Sequence, residues 1–252
     1  MAKIIILGSS NAIPDERHEN THMVIVGKER TVLVDCVSNP ILRLKQANVD
    51  FNSLTDLVVT HFHPDHVSGV PLLLMDMWLM GRKKPLSVYG LHQTVDRIEN
   101  LMGFYDWQNW PNFFPIVFHR LPSGEHTPVM DCSEMHIFAS PVQHLIPTIG
   151  LRVEFPESGK VFAYSCDTEP CDAVVKLANG ADVLMHESTG AGVGHSSAAQ
   201  AGEIAARAHA GSLVLIHYPT GANDPRRYAG EAQATFRGSV KLAEDFMELS
   251  FD

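Results

Sequence analysis

The chain has 252 residues, 45% of them hydrophobic, and a formal net charge of −10. That is enough apolar material for a substantial core, and residues 1–252 read as one domain, since sandwich-type folds of this size often form a single unit. The acidic balance argues against an extended nucleic-acid footprint, which needs clustered Lys and Arg, and no run of about 18 apolar residues is present to span a membrane.

Lys3 to Leu7 is an apolar, β-rich run stopped by Gly8-Ser9-Ser10-Asn11, too short for a signal-peptide core. Cys36, Cys132, Cys166 and Cys171 show no CxxC spacing and read as reduced thiols, so a soluble cytoplasmic protein is expected. Met23 to Val26 and Thr31 to Val34, separated by Gly27-Lys28-Glu29-Arg30, read as a hairpin. Pro40 then suits the first turn of a short helix through Gln46. Leu57 to Thr60 is a strand, and Val70 to Met80 is a helix apolar nearly all round, ended by Gly81.

Leu86 to Tyr89 returns to strand and Thr94 to Met102 to helix. The aromatic stretch Phe104 to Phe118 is expected to be irregular and to serve as pocket wall, lid, dimer contact or ordinary core. Further strands are predicted near Met135 to Ala139, Gly150 to Phe155, Val161 to Ser165, Val183 to His186 and Leu213 to His217. Helices are predicted near Cys171 to Ala178, Ser197 to Ala210, and from Asn223 or Pro225 onward. Strand runs followed by strand–helix units, twice over, predict two packed sheets with helices outside.

Among fourteen histidines, the informative group is His61-Phe62-His63-Pro64-Asp65-His66. His61 and His63 point the same way from extended backbone, while Asp65 and His66 follow as the chain turns toward a helix. Such a turn can feed two adjacent metals. Imidazole and carboxylate without thiolate suit zinc, with manganese or iron as alternatives. His144, Asp167 and His217 each close an apolar run downstream, which packing alone does not explain.

These residues resemble the metallo-β-lactamase superfamily, and most closely its ribonuclease Z-like phosphodiesterase branch. The resemblance extends to Leu7-Gly8-Ser9-Ser10-Asn11-Ala12-Ile13-Pro14, Asn20, Val34-Asp35-Cys36, Ser165-Cys166-Asp167-Thr168, His186-Glu187-Ser188-Thr189 and Gly194-His195-Ser196-Ser197. It implies a four-layer αββα sandwich of two mixed sheets, and a dinuclear hydrolase acting through a metal-bound hydroxide. It further implies that His61, His63 and His144 hold one divalent ion, that Asp65, His66 and His217 hold the other, and that Asp167 bridges them. Asp65, Glu187 and His195 are the expected catalytic residues, the last two as a pair that protonates a leaving oxygen. Asp35 is expected outside the ligand set, and Ser196 or Ser197 to cap the helix that follows.

The substrate implied is a phosphodiester, small or an RNA 3′ end cleaved endonucleolytically. The alternatives are a lactone, thioester or β-lactam at the same centre, or a binding protein that kept the fold. The long basic arm of transfer-RNA-maturing enzymes is absent between His144 and Asp167, where the chain has room only for two strands and a turn. Gly81-Arg82-Lys83-Lys84-Pro85 is the main basic cluster and Arg226-Arg227 a second. Either is a solvated loop or a phosphate contact. The apolar helix at 70–80 and the aromatics after Phe104 lead us to expect a homodimer.

Overall fold

A computed structural model describes residues 2–221 and 224–252. The first half contains β1 (Lys3–Gly8), β2 (His22–Val26), β3 (Thr31–Val34), α1 (Pro40–Gln46), β4 (Asp56–Val58), α2 (Pro64–Val67), α3 (Val70–Leu79), β5 (Leu86–Leu91), α4 (His92–Gly103) and β6 (Ile116–Leu121). The second half contains β7 (Thr127–Asp131), β8 (His136–Val142), β9 (Thr148–Phe155), β10 (Lys160–Tyr164), α5 (Asp172–Leu177), β11 (Val183–Glu187), α6 (Ala198–Arg207), β12 (Ser212–Ile216), α7 (Arg226–Gln233), β13 (Ser239–Leu242) and β14 (Glu248–Ser250).

The strands form two seven-stranded sheets, ordered β14-β1-β2-β3-β4-β5-β6 and β13-β12-β11-β10-β9-β8-β7. Each is mixed: β3 to β6 run parallel, as do β10 to β13, and the remaining neighbours are antiparallel. Alternation along the strands explains the layering. Ile4, Ile6, Met23, Ile25, Val32 and Val34 face Ile137, Leu151, Val153, Phe162 and Met185 between the sheets. Ile5, Leu7, Val24 and Leu33 point the other way, beneath Ile41, Leu44, Leu73 and Ile98. On the far side Leu184, Leu213 and Leu215 lie beneath Val174, Ala201 and Ile204. Sheets apolar on both faces must be covered on both, and this is the predicted αββα sandwich.

The chain between His144 and Asp167 holds only β9, a turn and β10, as its length predicts. Ser197 caps α6 with a reciprocal Ser197–Gln200 capping box. Asn223, one of two predicted starts for the last helix, lies outside the described residues, and the helix described begins at Arg226 with Pro225 as its cap.

The aromatic stretch is only partly irregular. Trp107, Trp110 and Phe113 pack on the outer cluster, and Trp78 stacks on Trp110 at 4.8 Å, but Ile116 already begins β6. The open edge of β5 supplies that pairing, which no local pattern announces. β7, β13 and β14 are likewise short edge strands made by their neighbours. The basic cluster also reads differently. Arg82 is buried and donates to the carbonyls of Phe51, Leu54, Lys84 and Pro85, so its guanidinium is spent holding a loop. Arg226 pairs with Asp224. No helix among the described residues is long and apolar enough to cross a membrane.

Candidate metal centre

Parallel strands collect their C-terminal ends on one side, and ligands of open α/β sheets gather there. Here both sheets do this at a common edge. Asp35 follows β3, the His61–His66 segment follows β4, Asp167 follows β10, Glu187 ends β11 and His217 follows β12. Asp35, Cys166 and His217 have φ of 59°, 54° and 54°, so the chain turns left-handed as these strands end. Non-glycine residues rarely adopt that conformation unless their surroundings hold it, and such residues cluster at functional sites.

All seven predicted ligands come together. One ligand atom each from His61, His63 and His144 lie within 4.8 Å of one another, as do those of Asp65, His66, Asp167 and His217. His63 Nδ1 is 3.0 Å from His61 Nε2 and 3.1 Å from His144 Nε2. Asp167 Oδ2 sits amid both groups, 3.5 Å from His66 Nε2 and His217 Nε2 and 3.9 Å from His61 Nε2 and His144 Nε2. Asp65 Oδ2 is 3.5 Å from His217 Nε2 and 3.7 Å from His66 Nε2.

Outer hydrogen bonds aim the imidazoles. His66 Nδ1 donates to Asp35 Oδ2 at 2.7 Å, and His144 Nδ1 donates to the Gly194 carbonyl at 2.6 Å. Thr189 gives its hydroxyl proton to the His217 carbonyl, leaving its oxygen to accept from His217 Nδ1 at 2.8 Å. Thr60 gives its proton to Asp35 and faces His61 Nδ1 at 3.1 Å. In each case the outer nitrogen carries the hydrogen and the inner one presents a lone pair, the arrangement metal-binding histidines use.

These residues fit two divalent cations. His66 Nε2, His217 Nε2 and Asp167 Oδ1 are buried without a hydrogen-bond partner, a costly state unless a further partner is bound. Separations of 3.5–3.9 Å are long for hydrogen bonds. They are close to the roughly 3.4 Å between two atoms that ligate one tetrahedral ion at about 2.1 Å. Electrostatics agree. Burial opposes charge on Asp167, but His217 and His66 outweigh it and hold the carboxyl well below its ordinary range. Burial pushes His61, His63 and His144 down, toward the neutral form that ligates, whereas at His66 the carboxylates of Asp167 and Asp35 outweigh burial and favour positive charge at a position a cation would fill.

At the rim, His195 Nδ1 is 2.9 Å from Glu187 Oε1. Glu187 is fully buried and also accepts from the backbone of Thr168, Thr189 and Ser196, so its carboxylate is immobilised. That contact raises the affinity of His195 for a proton. Its ring lies parallel to that of His217 at 5.9 Å and edge-on to that of His144 at 5.0 Å. Sequence reasoning missed Thr60, Thr189 and the Gly194 carbonyl, since a threonine beside a ligand or a carbonyl fifty residues away carries no signal of its own.

The model of the family described as "Beta-lactamase superfamily domain" matches residues 30–218. A ribonuclease Z from Methanothermobacter thermautotrophicus is 27% identical, covering 87% of this chain and 87% of its own. Among solved structures, the metallo-β-lactamase fold protein YhfI from Bacillus subtilis superposes with a TM-score of 0.83 at 20% identity, over 98% of both chains. The short form of human tRNase Z gives 0.81 at 24% identity, over 99% of both. With its family model spanning most of the sequence, the chain belongs to the β-lactamase superfamily domain family, as a ribonuclease Z-like, metal-dependent hydrolase of the metallo-β-lactamase fold.

Proposed function

We propose that the protein hydrolyses a phosphodiester, in a nucleotide-like substrate or at an RNA 3′ end. The observation that carries this reading is the buried Glu187 carboxylate bonded to His195 at the rim of the ligand cluster. Phosphodiester cleavage expels an alkoxide that needs a proton, and an imidazole whose hold on a proton is raised by a bonded carboxylate can give one.

In this reading His61, His63 and His144 hold one cation, Asp65, His66 and His217 the other, and Asp167 both. Zinc is the proposed metal, on the nitrogen and oxygen donor set. A bound pair supplies Lewis acidity and an activated water. The partly exposed Asp65 carboxylate would orient that water. A ring nitrogen of His195 lies within 4.8 Å of ligand atoms of His144 and Asp167, close enough to protonate an oxygen leaving from this centre. Action on RNA is supported by relatives named ribonuclease Z, and the proposed cleavage is endonucleolytic.

We further take the chain as one domain, because the inter-sheet core draws on both halves. A cytoplasmic location accords with four unpaired cysteines. A homodimer accords with the exposed Leu72, Leu79 and Met80 along α3 and its C-terminal end. Parallel turnover of a chromogenic phosphodiester, a lactone and a pre-transfer RNA by metal-replete protein tests the function. Phosphodiester turnover is expected to dominate, and faster turnover of the lactone would overturn it.

A further inference from the structure

Beside the metal centre lies a groove of about 320 Å³, lined by Phe62, Arg97, Asn100, Leu101 and Phe104. Four of these fall at i, i+3, i+4 and i+7 along α4 and its C-terminal cap Phe104, whose backbone is still helical, so they lie on one stripe. The fifth, Phe62, stands between His61 and His63. Strand-like alternation sends its ring away from the ligand side and against the outer hydrophobic cluster. The groove therefore starts one residue from two ligands.

Its chemistry is unusual for this surface. Phe104 is 87% exposed. The Arg97 guanidinium stands over the Phe62 ring, 5.9 Å from its centroid, and no carboxylate lies within ion-pair range of it among the described residues. An unpaired cation on a chain of net charge −10, set over one aromatic ring and sharing a groove with a second, matches a flat, polar-edged, π-faced group joined to an anion. A lipid chain would use the rings and not the cation, and an isolated phosphate the cation and not the rings. Nucleobases use both, stacking on aromatic faces and on guanidinium planes.

We propose that this groove is a nucleobase subsite, in which the exposed Phe104 ring stacks the base and Arg97, backed by the Phe62 ring, sets its edge. The proposal rests on the phosphodiesterase reading and names the substrate class for it. The subsite confers specificity for a nucleoside ester over a base-free one.

The test uses full-length, metal-replete protein with thymidine 5′-(p-nitrophenyl phosphate) and methyl p-nitrophenyl phosphate, which share a leaving group and differ by the nucleoside. Stacking of one base is worth about tenfold or more in affinity. Phe104→Ala should lower the ratio of kcat/KM for the thymidine ester over the methyl ester about tenfold, with the loss in KM. It should also weaken calorimetric binding of thymidine 5′-monophosphate about tenfold, and Phe104→Trp should restore both. If wild-type protein turns over neither ester, the phosphodiesterase reading fails and the monophosphate titration alone decides the subsite. An unchanged ratio, equal monophosphate affinity in Phe104→Ala and wild type, or no binding at millimolar concentration overturns the proposal. So does a change of mass in Phe104→Ala by light scattering, which would assign the ring to a contact between copies of the chain.

Discussion

Asp35 and His66 are joined by a 2.7 Å hydrogen bond beneath the metal centre, and the same carboxylate receives the Thr60 hydroxyl that faces His61. One residue thus orients a histidine of each proposed ligand triplet. Asp35→Asn keeps the shape but replaces one accepting oxygen with a donor. Loss of such an outer partner typically weakens metal binding about 10- to 100-fold. Competition with a chromophoric chelator should show weakening at both sites, and an unchanged titration would mean the bond is incidental.

Asp167 stands between the two triplets, within 3.9 Å of four histidine nitrogens. Wild-type protein should carry close to two divalent ions per chain by elemental analysis. Asp167→Ala should lose metal together with nearly all turnover. Retention of both ions would remove Asp167 from its proposed bridging role.

His195 should fail differently, since its hydrogen-bond partner is Glu187 and its proposed work is proton donation. In His195→Ala both ions should remain bound, while hydrolysis of an alkyl phosphodiester should slow about 10²- to 10⁴-fold. A p-nitrophenyl ester, whose leaving group needs little protonation, should be much less affected. Equal losses on both substrates would count against the acid role.

His22 gives a pH dependence of stability. It is buried, its Nδ1 donates to the Asn20 carbonyl at 2.8 Å and its Nε2 has no partner. Burial, aided by Arg43 and His66, lowers its pKa from 6.5 to about 4. Between those values the unfolded chain binds the proton and the folded one does not. Stability should therefore fall as pH drops from about 6.5 to 4, by at most about 3 kcal/mol from this residue, with no contribution above that window. Urea midpoints of wild type and His22→Gln across this range should show a flatter dependence in the variant. Parallel curves would deny His22 the effect.

Glu134 ties the sheets together far from the metal centre. From the β7–β8 turn its carboxylate accepts the backbone N–H groups of Lys28, Glu29 and Arg30 in the β2–β3 hairpin. Glu134→Ala should cost about 1–3 kcal/mol, a fall of roughly 2–10 °C in melting temperature for a chain this size. Metal content should not change. A melting temperature equal to wild type would show the hairpin needs no such anchor.

The proposed ligands were legible because metal chemistry restricts residue type and spacing. Three imidazoles and a carboxylate fall within six residues, and His144, Asp167 and His217 each close an apolar run, a pattern that core packing does not require. The main layers were legible for a similar reason, since apolar runs such as Ile4 to Leu7 and Leu213 to Ile216 must be covered on both faces.

Edge strands, outer partners and the fate of the basic cluster were decided only by the tertiary structure. β6 and β13 exist because a neighbouring strand offers hydrogen bonds, whatever their own pattern. Arg82 became a buried clamp because carbonyls of two segments meet around it. Thr60, Thr189 and the Gly194 carbonyl acquired their parts by standing behind a proposed ligand. Short-range pattern records what a side chain can do, and distance in space, which contacts far apart in the chain establish, determines which of those things it does.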